Sequence, residues 1–442
     1  MHLSSSAYFL QFLESPSSSS LLSCFGCMGS SFEDEPRNKK PKLVDEEEKM
    51  KILIKNQRCG FDLLPRDVLL DVLIRLPISS LMQFRFVSRS CHALSHDPEL
   101  PRLHHPTAEK SDPILVFHCD YPIRNQLYFV GYNGDHGCDK IVRKISTPFC
   151  RSMPEFNVVG SCNGLLCLSD SLYSDPVYVF NPFTRNHVEL PKSKQFQDQE
   201  VVFGFGFHPV TNEYKVVRIV YYRTQRRLTT NRSYPKSEVH VLTLGEPNTN
   251  TWRCLGKVPY QLDRQAKEVV AVNGRLHFVS RPGRLGGLPG RTIVSFDLKD
   301  EQFKLVSKPV NRSNYHLAVI EGCLAVAVSC GYGKLEIWVM KEYDVKESWV
   351  KRFDIHGAYL AKIPSHSHEY GIWRKAMHEK MVRVLCVLKN GEILMEYRGG
   401  SLVKYDPKWK EFKDVVFHGM PKLFQTIVHV GSLNWTHTPI HI

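Results

Sequence analysis

The sequence predicts an α+β multidomain chain: a short N-terminal piece of three helices, followed by an all-β, propeller-like domain of about six blades. Three observations carry this expectation. Apolar residues in "LPRDVLLDVLIRLPISSL", residues 64 to 81, cover most of the circumference of a helix. From Pro113 onward, short runs rich in Val, Ile, Tyr and Phe alternate with turns, and no long helical period interrupts them. The turns between those runs repeat, which favours blades over a sandwich or a simple barrel.

The chain begins with a segment unsuited to a core. Residues 1–58 run through a Ser-rich stretch, then "EDEPRNKKPKL" and "DEEEKMK". Such blocks bury too little apolar surface to offset the entropy of ordering them, so this tail is expected to be disordered. Within it, Arg37, Lys39, Lys40 and Lys42 form a compact basic run. It reads either as a nuclear import signal or as solvated linker charge. "CFGC", Cys24 to Cys27, lacks a second Cys/His pair at zinc-finger spacing.

Residues 59–104 are expected to be helical. Pro65 suits a first helical turn, where its missing N–H has no partner to lose. Pro77 ends the first helix, Ser79 or Ser80 is placed to cap a second, and a third is expected through "FRFVSRSCHAL" before Pro98. The stretch "HHPTAEKSD", 104 to 112, reads as a charged linker. A piece of about 40 residues is too small to bury a helix that is apolar nearly all round. Part of that surface is therefore expected to meet a second polypeptide.

Residues 112–440 carry the repeat. Asn163-Gly164, Asn273-Gly274, Glu321-Gly322 and Asn390-Gly391 each open a strand in the same way. Asn-Gly and its kin supply the positive φ that a tight hairpin needs. A second strand, a turn and an aromatic or apolar residue follow each of them. "EVHVLTLGEPNTNTW" fits the same frame, with Trp252 closing. The first blade is expected near 112–150, and "FQTIVHVGSLNW" is expected to pair back onto it and close the ring, which removes open sheet edges.

These motifs resemble a known family. Leu64-Pro65, Val68-Leu69, Val72-Leu73, Leu76-Pro77, Ser80-Leu81, Phe84-Arg85 and Val87-Ser88-Arg89 look like an F-box. "SCNGLLCL", "VFNPFTRNHVELP" and "GFGFHPVTNEYKVVRI" look like the F-box-associated domain of the large plant F-box/kelch group. One departure is the third helix, where Arg89 to Leu94 stands in place of the family's usual late Trp. The resemblance implies a substrate-recognition subunit of an SCF-type ubiquitin ligase. Its F-box would dock a Skp-type adaptor, and through it a cullin, by Leu64, Pro65, Leu69, Leu73, Leu76, Pro77, Leu81 and Val87. Its propeller would bind a client protein.

The residues also speak to the client. In a four-stranded blade, loops between second and third strands emerge on one face. Two such loops, 223 to 237 and 281 to 291, carry Arg223, Arg226, Arg227, Arg232, Lys236, Arg281, Arg284 and Arg291. A shared basic patch on consecutive blades suits an acidic or phosphorylated segment, while solvated loops are the plain alternative. Lys+Arg of 58 against Asp+Glu of 45, a net +13, fits that patch and equally fits a nucleic-acid- or acidic-ligand-binding scaffold with no ligase role.

Covalent chemistry is not expected, nor is a cofactor or a metal. "GFGF" at 204 to 207 has Pro209 where a dinucleotide loop needs its third Gly, and a strand follows it. "RPGRLGGLPGR" lacks the Gly-Lys-Ser/Thr ending of a phosphate loop. His366, His368 and His378 have no accompanying Cys or carboxylate set at fixed spacing. The 13 cysteines are odd in number and scattered, which suggests a reducing compartment, nucleus or cytoplasm. No apolar window approaches a membrane span, and no membrane partner is expected.

Overall fold

The fold is given by a computed structural model. It describes residues 64–109 and 113–435, except 122–124, 133–140, 172–176, 196–198, 223–235, 246–250, 264–268, 282–289, 332, 358–359, 361–381 and 398–399. The chain divides into two compact units, Met1–Leu76 and Pro77–Ile442. Among the described residues no helix is long and apolar enough to cross a membrane.

In the first unit, helix α1 spans Arg66–Leu73 with Pro65 at its N-cap. The Leu69 N–H reaches the Pro65 carbonyl at 3.2 Å, and Ile74 N–H closes the end on Leu70 O. Leu69, Leu70 and Leu73 are buried, while Asp71 and Arg75 pair on the exposed side at 3.0 Å.

The second unit opens with α2 (Ile78–Phe84), α3 (Arg89–Ser95) and α4 (Glu99–Glu109). Pro77, not a serine, stands at the N-cap of α2, and no side chain caps it. The cap serine is Ser88, whose Oγ accepts from Cys91 N–H at 3.1 Å and starts α3. The expected third helix through "FRFVSRSCHAL" is therefore interrupted, and α3 begins only at Arg89. The stretch read as a charged linker is helical as far as Glu109. Asp97 Oδ1 accepts from Glu99 N–H at 2.9 Å at the start of α4. Pro101 falls in the first turn of α4, where an N–H is not needed.

Among the described residues, six four-stranded antiparallel sheets follow. The first is β1 (Ile114–Tyr121), β2 (Gln126–Gly131) and β3 (Arg143–Ile145), joined by the last strand, β24 (Leu423–His429). Its order is β24-β1-β2-β3, with Leu115 opposite Val428 and Phe117 opposite Thr426. The expected closure of the ring by the chain's last strand is thus observed. The second sheet is β4 (Phe156–Cys162), β5 (Leu165–Asp170), β6 (Val177–Phe180) and β7 (His187–Glu189). The third is β8 (Gln199–His208), β9 (Glu213–Tyr222), β10 (Lys236–Leu244) and β11 (Arg253–Gly256). The fourth is β12 (Val270–Val272), β13 (Arg275–Val279), β14 (Ile293–Asp297) and β15 (Phe303–Val306). The fifth is β16 (Tyr315–Ile320), β17 (Cys323–Gly331), β18 (Lys334–Met340) and β19 (Trp349–His356). The sixth is β20 (Val382–Val387), β21 (Ile393–Tyr397), β22 (Ser401–Asp406) and β23 (Glu411–Val415).

The leading strands β24, β4, β8, β12, β16 and β20 touch in succession and return to β24, so the sheets are blades of a closed propeller. The hydrophobic core is split accordingly. Each of six clusters lies between two consecutive blades. One joins Leu165 and Val179 of blade 2 to Phe205 and Val216 of blade 3, and another joins Leu115 and Phe117 of blade 1 to Leu394 and Leu402 of blade 6. Central strands such as β5 and β14 are buried on both faces, which is why they read as continuous apolar runs. Cys167 lies inside one of these cores, and burial pushes its thiol up, so it behaves as a small hydrophobe.

The repeated turns are hairpins between first and second strands. Asn163 and Gly164, Asn273 and Gly274, and Glu321 and Gly322 all have positive φ, and Gly391 does so in the fourth. The "GFGF" glycines serve packing. A Cβ on Gly204 would lie 2.7 Å from Leu276 Cδ1, and one on Gly206 would lie 2.8 Å from Leu276 Cδ2. Strand β8 approaches blade 4 that closely only because both positions lack a side chain.

Candidate functional site

Two surfaces were expected, one on the N-terminal helices and one on the propeller loops. On the helices the eight expected docking residues separate by exposure. Leu64, Pro65, Pro77 and Val87 are exposed, whereas Leu69, Leu73, Leu76 and Leu81 are buried. Leu69 and Leu73 are buried in α1 together with Leu70, and Leu81 is buried in α2 together with Ile78 and Phe84. Their apolar character therefore serves the fold of the isolated chain.

The side chains left over answer the excess of oil around α1. Leu64 is 45% exposed and Val68 46%, on the N-terminal side of that helix. In the second unit, Phe86 is 76% exposed and Val87 70%, in the turn between α2 and α3. The Arg85 guanidinium lies 4.7 Å from the Phe86 ring centroid and shields part of one ring face. Val68 and Phe86 were not among the expected docking residues. The available signal for Phe86 was its place beside Val87 between Arg85 and Ser88-Arg89, an apolar pair outside any helical period.

On the propeller, the two arginine-rich loops do connect second and third strands, β9 to β10 and β13 to β14, of consecutive blades 3 and 4. Arg223, Arg226, Arg227, Arg232 and Arg284 lie outside the described residues, as does the side chain of Lys236. The basic run Arg37, Lys39, Lys40 and Lys42, "CFGC", and His366, His368 and His378 also lie outside them. Arg281 and Arg291 are described, and both face Asp263, at 3.6 and 3.3 Å. Arg281 also lies 4.0 Å from Glu200. Arg291 donates to Ser313 O and sits over the Tyr315 ring at 5.5 Å. Lys308 donates to Arg291 O at 2.8 Å, and burial holds its ammonium below the usual lysine range. The sequence suggested two arginines open to an incoming anion. The structure places them in a network with Asp263 and Glu200 that already answers most of their charge.

Comparison with known proteins gives these surfaces their context. Residues 61–103 match the family described as the F-box domain, and residues 115–437 match the F-box associated beta propeller domain. The chain is 48% identical over 400 residues to F-box protein At3g07870 of Arabidopsis thaliana, covering 87% of this chain and 94% of that one. It is 28% identical over 394 residues to F-box protein CPR1 of the same plant, covering 84% and 88%. It is 24% identical over 317 residues to the F-box/kelch-repeat protein At3g23880, also of Arabidopsis thaliana, covering 66% and 80%.

Proposed function

We propose, since this chain belongs to the plant F-box proteins with an F-box associated beta propeller domain, that it is the substrate-recognition subunit of an SCF-type ubiquitin ligase. F-box domains in general bind Skp-type adaptors, and the propellers joined to them bind client proteins. The observation that carries the reading is the set of large apolar side chains left exposed in the F-box region: Leu64 and Val68 in the first unit, Phe86 and Val87 in the second. Exposed apolar side chains with charged neighbours in the sequence, Asp67 beside Val68 in the first unit and Arg85 beside Phe86 in the second, suit anchors of a protein interface.

In this role the protein performs no covalent step. It holds the client beside the transferring machinery and so raises the effective concentration of acceptor lysines. An acidic or phosphorylated client is supported by the arginines of 223–232 and by Arg284. Arg281 and Arg291 contribute less, because Asp263 already faces both. Work in the nucleus or cytoplasm is part of the same proposal, supported by the basic run at 37 to 42.

The test is co-purification with a Skp-type adaptor. Val68→Asp with Val87→Asp is expected to abolish adaptor recovery while leaving the thermal unfolding midpoint unchanged, because both positions face solvent. Full recovery of adaptor by that folded variant would overturn the proposal. For the client, Arg226→Glu, Arg227→Glu and Arg284→Glu together are expected to weaken capture without touching the Asp263 network.

A further inference from the structure

Blade 3 carries a second chemical feature that the ligase reading does not use. In β10, Glu238 and His240 are two residues apart and so project from the same face of the strand. In β11, Cys254 stands directly opposite His240, and Arg253 opposite Val241. The next pair is Val239 with Gly256, so Leu255 is bulged out of the ladder. Gly256 has φ 95°, a value that makes this bulge easy for glycine and costly for other residues. The bulge brings three donor types together: a carboxylate, an imidazole and a thiol. Their ligand atoms all lie within 4.8 Å of one another, and His240 Nε2 is 3.5 Å from Glu238 Oε2.

We propose that Glu238, His240 and Cys254 form a binding site for a divalent cation of the zinc type. Ligands around tetrahedral zinc sit roughly 3.3–3.8 Å apart, given bond lengths of about 2.0–2.3 Å. The three ligand atoms, all within 4.8 Å of one another, stand within about 1.5 Å of that spacing. The donor set selects the ion. Magnesium and calcium want oxygen ligands, whereas a thiolate with an imidazole suits zinc. Exposure rises across the site: His240 is 13% exposed at its side chain, Glu238 39%, and Cys254 is open to solvent. The wall is fixed by the sheet and the mouth is open, which leaves a fourth position for water or a partner's side chain.

Arg218 lies directly across β9 from His240, and its positive charge opposes a cation. The Glu238 carboxylate and the Cys254 thiolate formed on binding balance the two charges of the metal. The remaining repulsion from Arg218 lowers the affinity of the site. The sequence did not reveal it, because Glu238-x-His240 and Cys254 are separated by a strand connection and match no finger spacing.

The experiment uses the full-length protein and zinc chloride as probe. The alkylation rate of Cys254 is followed by peptide mass spectrometry, which separates this cysteine from the others. Zinc is expected to slow Cys254 labelling by about tenfold in the wild type, and to have almost no effect in His240→Ala or in Glu238→Gln. Glu238→Gln serves where His240→Ala perturbs the blade. Equal labelling of the wild type with and without zinc would overturn the site, as would protection that survives both substitutions. In a second readout, Cys254→Ser is expected to lose one equivalent of bound Co2+ together with part of the thiolate–Co2+ absorption band. An unchanged titration in that variant overturns the proposal as well.

Discussion

Asn181 Nδ2 donates a hydrogen bond to the main-chain carbonyl of Asn434 at 2.8 Å, 253 residues further along the chain. The same amide donates to Ser432 O at 3.0 Å, and Asn181 Oδ1 accepts from the N–H groups of Phe183 and Thr184. Asn434 Nδ2 in turn donates to Asn163 O at 3.2 Å. Asn181, Ser432 and Asn434 are all fully buried. The segment beyond β24, which closes the ring on blade 1, is thus gripped by blade 2. The "VFNPF" and "SCNGL" motifs of the sequence are the two jaws of that grip.

Asn181→Ala would strip the partner from four main-chain groups at once, three of them buried. The expected cost is about 2–4 kcal/mol, since each buried group left without a partner costs about 1–3 kcal/mol and partial relaxation recovers some of it. A urea unfolding curve gives the magnitude. Hydrogen exchange should show amides of 424–434 losing protection first.

Two glycines at similar φ separate backbone strain from crowding. Gly164 (φ 86°) would place a Cβ 2.5 Å from Ser432 Cβ, whereas Gly391 (φ 87°) would meet nothing within 4 Å. Gly391→Ala is expected to cost about 1–2 kcal/mol from the left-handed backbone alone. Gly164→Ala is expected to cost clearly more, with the difference read from paired denaturation midpoints. Equal costs would show that Ser432 yields freely.

Indole staples join blades. Trp252 Nε1 donates to Pro191 O at 2.6 Å, from blade 3 to the end of blade 2. Trp349 Nε1 donates to Ser307 O at 3.0 Å, from blade 5 to the end of blade 4. Replacing either with Phe removes the donor, at an expected cost of about 1–2 kcal/mol. The two sites share no partner, so the double variant should lose the sum within about 0.5 kcal/mol.

Acid should loosen the propeller through two buried histidines. His277 Nδ1 donates to Val270 O and its Nε2 accepts from Tyr343 Oη at 2.8 Å, and burial lowers its pKa to about 4. His429, beside Ser161 Oγ at 2.9 Å, is lowered by burial to about 3. Both folded values lie below the ordinary 6.5, so between them and 6.5 the unfolded chain binds more protons. The neutral-histidine contribution is therefore complete above pH 6.5 and is lost as pH falls, at about 1.4 kcal/mol per pH unit for each histidine. Chemical denaturation between pH 7 and pH 5 measures this slope, and His277→Gln should reduce it by about half.

Buried and exposed positions of the F-box should fail differently. Leu73 is 0% exposed, so Leu73→Asp is expected to unfold the helical region and lose adaptor binding as a consequence. Val87→Asp should lose adaptor binding with helical circular dichroism intact. Arg291→Glu should act on stability as well as on client capture, because it sets two carboxylates face to face at Asp263.

The order of parts was legible along the chain: a polar tail, a greasy helical piece, then a propeller whose repeated Asn-Gly turns announced its blades. Those features are local, since a period-2 apolar run and a positive-φ turn are written within a few consecutive residues. Helix caps were less legible. Pro77 starts α2 with no side-chain cap, so neither Ser79 nor Ser80 caps it, and Ser88 caps α3 instead. Which leucines face inward depends on long-range packing, because a helix apolar on most sides does not say which side is covered. Leu69 and Leu73 are buried while Val68 is left out. Tertiary structure also placed Asp263 against Arg281 and Arg291, Asn181 against the closing segment, and Cys254 across from His240. Each of these depends on strand register or on ring closure. Both are set by the sum of packing between blades, a quantity no single stretch of sequence contains.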